Sequence, residues 1–427
     1  MNILFKNIRT VNPSQKLDET NNLWIKDGEI IHCNKELPSV DPNTEIIDGE
    51  KLVAAPGFFD MHVHFRDPGD EAEEDLQTGT AAAANGGFTG VVCMPNTTPC
   101  IDSPAVLDEI IIKSKGNLVD VKVAAAITRE RAGVQLTDMF ELNDSGAVFF
   151  TDDGNSIENT EVLRRAFDYA STKDLLIAEH CEDKTLTDGF SVNECMLASK
   201  MGLKGYPSIA ESNIVYRDIE TARYIGNSRF HVMHISTKKS IELVRLAKAQ
   251  GDRVTAEVAP HHFSFDDSEI ASYNTDFKMN PPLRSKEDIE AILKGLQDGT
   301  IDCIATDHAP HTLNEKEVEF EHAPNGIVGL ETAVGAALTH LVNTNVIDIN
   351  TLVEKMSINP RKICRLDPIE IKVGEKANIT VLNPTEEWTV DKNKFLSKSK
   401  NSPFDGLKLT GKPKFVFNNG KAHKCIL

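Results

Sequence analysis

Two histidines one residue apart, His62 and His64, close an apolar run in the stretch GFFDMHVHFRDPG (57–69), and Arg66 follows two residues later. In an extended chain, residues i and i+2 share a face about 6.6 Å apart, so both imidazoles can turn toward one ion. The spacing alone also suits two hydrogen-bonded histidines in a turn. If the strand continues through Arg66, its guanidinium lies on the same face, where a planar fork can grip a carboxylate through two parallel hydrogen bonds. A surface salt bridge is the plainer reading of that arginine taken alone.

Other metal-capable side chains stand at the ends of other apolar runs: Asp152 and Asp153 in GAVFFTDDG, His180 in DLLIAEHCED, His234 in RFHVMHIS and Asp307 in IDCIATDHAP. Strand alternation lets only one of Asp152 and Asp153 face inward. It likewise sets His180 against Cys181, so a mouth-facing His180 makes the thiol a packing group. His231 and His234 differ by three and take opposite faces; His234 is at the C-terminal end of its run, which leaves His231 structural. His261 and His262 in APHHF are adjacent and follow a proline, a poor geometry for chelation, and read as supporting residues. Divalent ions held at such a cluster would draw a nucleophile from water at neutral pH and polarise an amide carbonyl; histidine and carboxylate ligands suit zinc.

These residues need a scaffold that gathers strand ends. Between 57 and 310, eight short apolar runs (GFFDMHVHF, FTGVVCMPN, VDVKVAAAIT, GAVFFTDDG, DLLIAEHCED, RFHVMHIS, RVTAEVAP and IDCIATDHAP) alternate with amphipathic segments. Runs apolar on both faces fit a parallel sheet covered by helices. Helices are predicted over 71–86, 103–115, 157–172, 237–250 and 285–298, with Ser103 as cap and Pro104 at the first position of the second. The pattern predicts an α/β chain with a (β/α)8 barrel over 56–365, whose chemistry sits at the C-terminal strand ends. Residues 1–55 and 366–427 carry short β-like pieces, and we expect one small β-sandwich-like domain assembled from both termini. The acidic stretch HTLNEKEVEFEHAPNG (311–326) follows the eighth run and suits a lid.

The chain has 427 residues and a formal net charge of −19, which argues against a nucleic-acid or anionic-membrane surface. No stretch approaches the roughly 18 apolar residues of a membrane span, and the N-terminus lacks an apolar signal core, so the cytoplasm is expected. Eight cysteines are scattered without a C-x-x-C pair, which speaks against a disulfide framework or thiolate zinc site.

The motifs DMHVHFRDPG (60–69), GGFTGVVCMPNTTP (86–99), FTDDG (150–154), AEHCED (178–183), HIST (234–237), MNPPLR (279–284), ATDHAPH (305–311) and NGIVGLET (325–332) together resemble the amidohydrolase superfamily, and within it the long, barrel-type bacterial dihydroorotases, over nearly the whole chain. This resemblance implies two zinc ions per subunit: His62, His64 and Asp307 on one, His180 and His234 on the other, with Asp153 rather than Asp152 between them. Relatives that bridge with a carboxylated lysine differ here, because VFFTDDG has none. The likeness further implies Asp307 as the catalytic acid–base. Arg66, Asn96 and His311 would hold a substrate carboxylate with His64 beside them, while Asn280, Asn325 and Gly326 would contact a pyrimidine ring. The implied reaction interconverts dihydroorotate and N-carbamoyl-L-aspartate, with a homodimer and an association with aspartate transcarbamoylase as implied partners. An allantoinase or hydantoinase, or a metal-free partner of aspartate transcarbamoylase, are the competing readings; an anion-holding triad favours the carboxylated ring over uncharged ones.

Overall fold

The computed structural model describes every residue except residue 227. Five strands precede the barrel: β1 Asn2–Asn12, β2 Leu17–Lys26, β3 Glu29–Asn34, β4 Glu45–Asp48 and β5 Val53–Pro56. The barrel opens with β6 Phe58–Val63, β7 Phe88–Cys93, β8 Asp120–Ala125, β9 Ala147–Phe150 and β10 Leu176–Glu179. A two-stranded ribbon, β11 Val192–Asn193 and β12 Gly205–Tyr206, intervenes before β13 Arg229–Val232, β14 Val254–Val258 and β15 Cys303–Ile304. The chain ends with β16 Ile379–Thr389, β17 Lys408–Asn418 and β18 Lys421–Lys424.

The eight predicted runs become eight parallel neighbours in the order β6-β7-β8-β9-β10-β13-β14-β15. The ring nearly closes where the His64 N–H donates to the His308 carbonyl at 2.9 Å. Side chains from strand after strand (Phe59, Met61, Val92, Ala124, Phe149, Leu176, Ala178, Cys303) meet in one buried cluster, as the inward residues of a closed barrel do. The surrounding helices run over Leu76–Asn85, Pro104–Lys113, Thr160–Ser171, Lys238–Ala249 and Lys286–Asp298. The first starts later than its acid-rich lead-in predicts because Asp75 is its cap, accepting from the Gln77 and Thr78 N–H groups at 2.9 and 2.8 Å; residues 71–74 stay in the preceding turn.

Strands from both termini form one mixed sheet in the order β18-β17-β16-β5-β1-β2-β3, with β4 also on β1. It coils onto itself: Phe5 of β1 meets Phe415 and Phe417 of β17 edge-to-face at 5.4 and 6.0 Å, although β16 and β5 lie between them in hydrogen-bonding order. One sheet thus achieves the sandwich-like packing expected of the termini. Between β16 and β17 the chain leaves this sheet to lie along the barrel mouth, where the Leu396 and Ser397 N–H groups donate to Glu331 at 2.8 and 3.1 Å and the Lys398 N–H donates to Glu74 at 3.1 Å. Among the described residues, no helix is long and apolar enough to cross a membrane.

Candidate active site

The barrel strands end just before the residues that matter. Val63 ends β6 one residue before His64, Phe150 ends β9 three before Asp153, Glu179 ends β10 one before His180, Val232 ends β13 two before His234, and Ile304 ends β15 three before Asp307. His234 and Asp307 take positive φ values of 29° and 50°, sparsely populated for side-chain-bearing residues, and so turn back over the barrel axis.

There the six side chains converge. His62 Nε2 and His64 Nε2 each lie 3.5 Å from Asp153 Oδ2, and Asp307 Oδ1 lies 3.4 and 3.1 Å from the same two nitrogens. The other Asp153 oxygen, Oδ1, faces His180 Nδ1 at 4.0 Å and His234 Nε2 at 3.7 Å, and those two nitrogens are 2.9 Å apart. One carboxylate therefore divides its oxygens between two clusters of ligand atoms, His62–His64–Asp153 and Asp153–His180–His234. All are buried, and two of the atoms that face the clusters, His62 Nε2 and Asp153 Oδ1, find no hydrogen-bond partner among the described residues. Burying such atoms unpaired costs about 1–3 kcal/mol each. Ligand bonds near 2.0–2.2 Å would satisfy atoms at this spacing, so the donor set fits two divalent cations.

The electrostatics agree. Burial opposes ionisation of Asp153, yet His62, His234 and His64 pull its pKa well below the carboxylate range. Asp307 behaves likewise, burial opposing and His62 and His64 lowering. Asp152 faces the other way: its Oδ1 accepts from the Ile127 and Thr128 N–H groups, both at 2.9 Å, and burial pushes its pKa up to about 6. The alternation left open by the sequence resolves with Asp153 inward.

A cavity of about 280 Å³ opens over the clusters, lined by His64, Asp153, His180, His234 and Asp307 together with Arg66, Asn96, Asn280, His311, Asn325 and Gly326. Arg66 reaches it by another route than the one expected. The strand does not continue; Arg66 takes φ 59°, a turn that swings the guanidinium toward the Pro310 carbonyl and His311. Asn96 Oδ1 contacts His64 Nδ1 at 2.8 Å, and His311 Nε2 contacts the Asn325 carbonyl at 2.9 Å. Gly326, at φ +135°, has no room for a side chain, since a Cβ would lie 2.7 Å from that of Ala309. The 311–326 stretch packs down, with Thr275 Oγ1 donating to the Lys316 carbonyl at 2.6 Å and Lys278 Nζ to that of Glu321 at 2.8 Å.

Three buried or half-buried acids escaped the sequence reading. Glu257 Oε1 meets His62 Nδ1 at 2.7 Å. Glu182 Oε2 contacts His180 Nε2 at 2.8 Å and accepts from Asn280 Nδ2 at 2.9 Å. Glu73 Oε2 pairs with Arg66 Nε at 2.8 Å, which offsets the charge the arginine brings to the cavity. An acid two residues after His180 was a readable signal for Glu182; Glu257 and Glu73 had none, because only the closed barrel brings them in. Cys181 is buried with its Sγ on the Glu179 carbonyl, His231 Nδ1 pairs with Thr255, and His262 Nε2 with the Pro281 carbonyl; none lines the cavity.

Residues 51–240 match the family described as dihydro-orotase-like. The chain is 47% identical to the dihydroorotase of Geotalea daltonii, over 99% of this chain and 100% of that one, and 44% identical to that of Geobacter metallireducens, over 99% of each. The chain belongs to the dihydroorotase family. Its activity is that of a dihydroorotase-type cyclic amide hydrolase, and the paired clusters are the binuclear metal-binding arrangement of such an enzyme. Among solved structures it is similar to an L-hydantoinase (dihydropyrimidinase) from Arthrobacter aurescens, with TM-score 0.86, 24% identity and coverage of 100% and 97% of the two chains. A dihydropyrimidinase from Brevibacillus agri gives 0.84 at 21% identity, with 99% and 95% covered. These two likenesses concern the fold.

Proposed function

We propose that the chain interconverts (S)-dihydroorotate and N-carbamoyl-L-aspartate, the ring-closure step of pyrimidine synthesis, with two zinc ions held by His62, His64 and Asp307 and by His180 and His234, and with Asp153 between them. The observation that supports this most is the split of the Asp153 oxygens between two histidine pairs directly beneath a cavity walled by Arg66, Asn96 and His311. Zinc bound there would supply an activated water and a polarised ring carbonyl.

The chain's own residues do the rest. Arg66, Asn96 and His311 hold the substrate carboxylate, with charge-assisted hydrogen bonds fixing the ring. Asn280 and the backbone of Asn325 and Gly326 orient the ring. The Asp307 carboxylate, kept ionised by its imidazole neighbours, accepts the proton of the attacking water and delivers it to the ring nitrogen as the C–N bond breaks. Its burial at 8% exposure keeps bulk water from competing for that proton.

Purified chain loaded with zinc is assayed for dihydroorotate turnover at neutral and alkaline pH, with hydantoin and allantoin alongside. Turnover of the uncharged rings in preference to dihydroorotate would move the reading to a hydantoinase or allantoinase, and zinc-loaded chain inert toward all three would remove it. By the same family likeness we propose a cytoplasmic homodimer, able to associate with aspartate transcarbamoylase, and a division into a barrel at 56–365 and a small domain from 1–55 and 366–427. Light scattering with and without that partner checks the assembly.

A further inference from the structure

The wall proposed to hold the substrate carboxylate is itself held by a residue more than seventy positions away. Asn401, on the segment that leaves the terminal sheet, is 5% exposed. Its Oδ1 accepts from the His311 N–H at 3.2 Å. Its Nδ2 donates to the Ala309 and Gly326 carbonyls, both at 3.1 Å, and its own carbonyl accepts from the Val328 N–H at 2.9 Å. Both N–H donors and the acceptor oxygen of this amide are engaged on two loop segments that flank the cavity.

The same segment also grips the Arg66 side of that wall. The Ser399 hydroxyl donates to the Glu73 carbonyl at 2.6 Å, and the Ser397 hydroxyl and Lys398 N–H donate to Glu74. Glu73 in turn pairs with Arg66. Two of the three groups assigned to the substrate carboxylate, Arg66 and His311, are thus fixed from behind by residues 397–401.

We infer that Asn401 is a positioning residue for carboxylate binding: it sets the backbone of His311 and Gly326 and acts on substrate through them. This rests on the assignment of His311 and Gly326 to the substrate wall. A buried amide that satisfies three loop groups costs little to keep and much to lose, since removing it strands the His311 N–H and the Ala309 carbonyl and leaves the Gly326 carbonyl to Lys316 Nζ alone. The wall it orders contacts substrate in ground and transition states alike, so its loss falls on KM more than on kcat.

The test compares wild type with Asn401→Ala and with the isosteric Asn401→Asp, which still accepts from His311 N–H but sets a carboxylate against the Ala309 and Gly326 carbonyls. Both variants are expected to raise KM for dihydroorotate about tenfold or more with kcat within about threefold, and to bind the same zinc per chain as wild type. In a His311→Ala background the Asn401→Ala effect shrinks, because the two act along one route. Backbone hydrogen exchange at 309–311 and 326–328 quickens in Asn401→Ala. A fall in melting temperature with KM unchanged in both variants, a full Asn401→Ala effect without His311, or unaltered exchange would each overturn the assignment. Dihydroorotate turnover by wild type is measured first: its absence counts against the functional reading, while hydrogen exchange still judges Asn401.

Discussion

The Glu257 carboxylate meets the His62 ring on the side away from the metal-ligand cluster, Oε1 to Nδ1 at 2.7 Å, and its other oxygen lies 3.3 Å from His231 Nε2. Burial works against its ionisation, but His62 and His231 on either side hold its pKa down at about 2. An ionised acceptor at Nδ1 keeps the proton there and leaves Nε2 free to ligate, and it raises the basicity of the ring. Glu257→Gln is therefore expected to weaken zinc binding about 10- to 100-fold, read by competition with a chromophoric chelator. Equal affinity in variant and wild type would show that His62 is oriented by packing alone.

Asp152 and Asp153 are neighbours with opposite tasks, and their amide variants should separate cleanly. Asp153→Asn takes a charged oxygen from both ligand clusters, so bound zinc falls below two per chain and turnover falls with it. Asp152→Asn leaves zinc content intact but weakens the acceptor for the Ile127 and Thr128 N–H groups, lowering stability by about 1–3 kcal/mol. Metal analysis and denaturant titration of the two proteins report these separately. Zinc loss in Asp152→Asn would reverse the assignment.

How much of this was legible in the residues follows from what each signal depends on. His62, His64, His180, His234 and Asp307 could be found because each ends an apolar run, and the barrel gathers run ends at one mouth. Asp153 was half-legible: alternation said one of two, and the backbone N–H groups that claim Asp152 come from residues 127 and 128, which no local pattern links to 152. Arg66 was half-legible: strand periodicity sets it beside His64, and it lines the same cavity, but a left-handed turn at residue 66 rather than a continuing strand brings it there. The part played by residues 395–402 was hidden altogether. They are flanked by the strand-like runs β16 and β17, and only tertiary hydrogen bonds to Glu74, Glu331 and His311 show that they belong to the barrel mouth.

Arg66 offers one edge of its fork to Glu73, and its remaining N–H groups face the cavity side near His311. Arg66→Ala should cost about 1.5–3 kcal/mol in binding a charged partner, roughly 10- to 150-fold in KM for dihydroorotate. Any slow turnover of hydantoin, which lacks the carboxylate, should be unchanged or faster. Comparing kcat/KM for the two substrates in both proteins checks this, and an equal loss on both would place Arg66 in the scaffold rather than at the substrate.

Lys316 gives the pH dependence. Its Nζ donates to the carbonyls of Pro324 at 3.0 Å, Gly326 at 3.1 Å and Lys278 at 3.4 Å, with the side chain 4% exposed. Burial lowers its pKa to about 8, against the pull of Asp276 and with the help of Lys278. At neutral pH the ammonium supplies three donors for three carbonyls; above about pH 8 it keeps two, and the loop carrying Asn325 and Gly326 loosens. KM for dihydroorotate is therefore expected to rise through pH 8. Stability moves the other way: below about 8 both folded and unfolded chains hold the proton, whereas from there to the ordinary lysine value near 10.4 only the unfolded chain does, so unfolding free energy climbs with pH across that window. Lys316→Met should show a raised KM at every pH and lose both trends. Measuring KM and melting temperature from pH 7 to 9.5 in the two proteins decides the matter, and a wild-type KM that stays flat through pH 8 would detach Lys316 from the substrate wall.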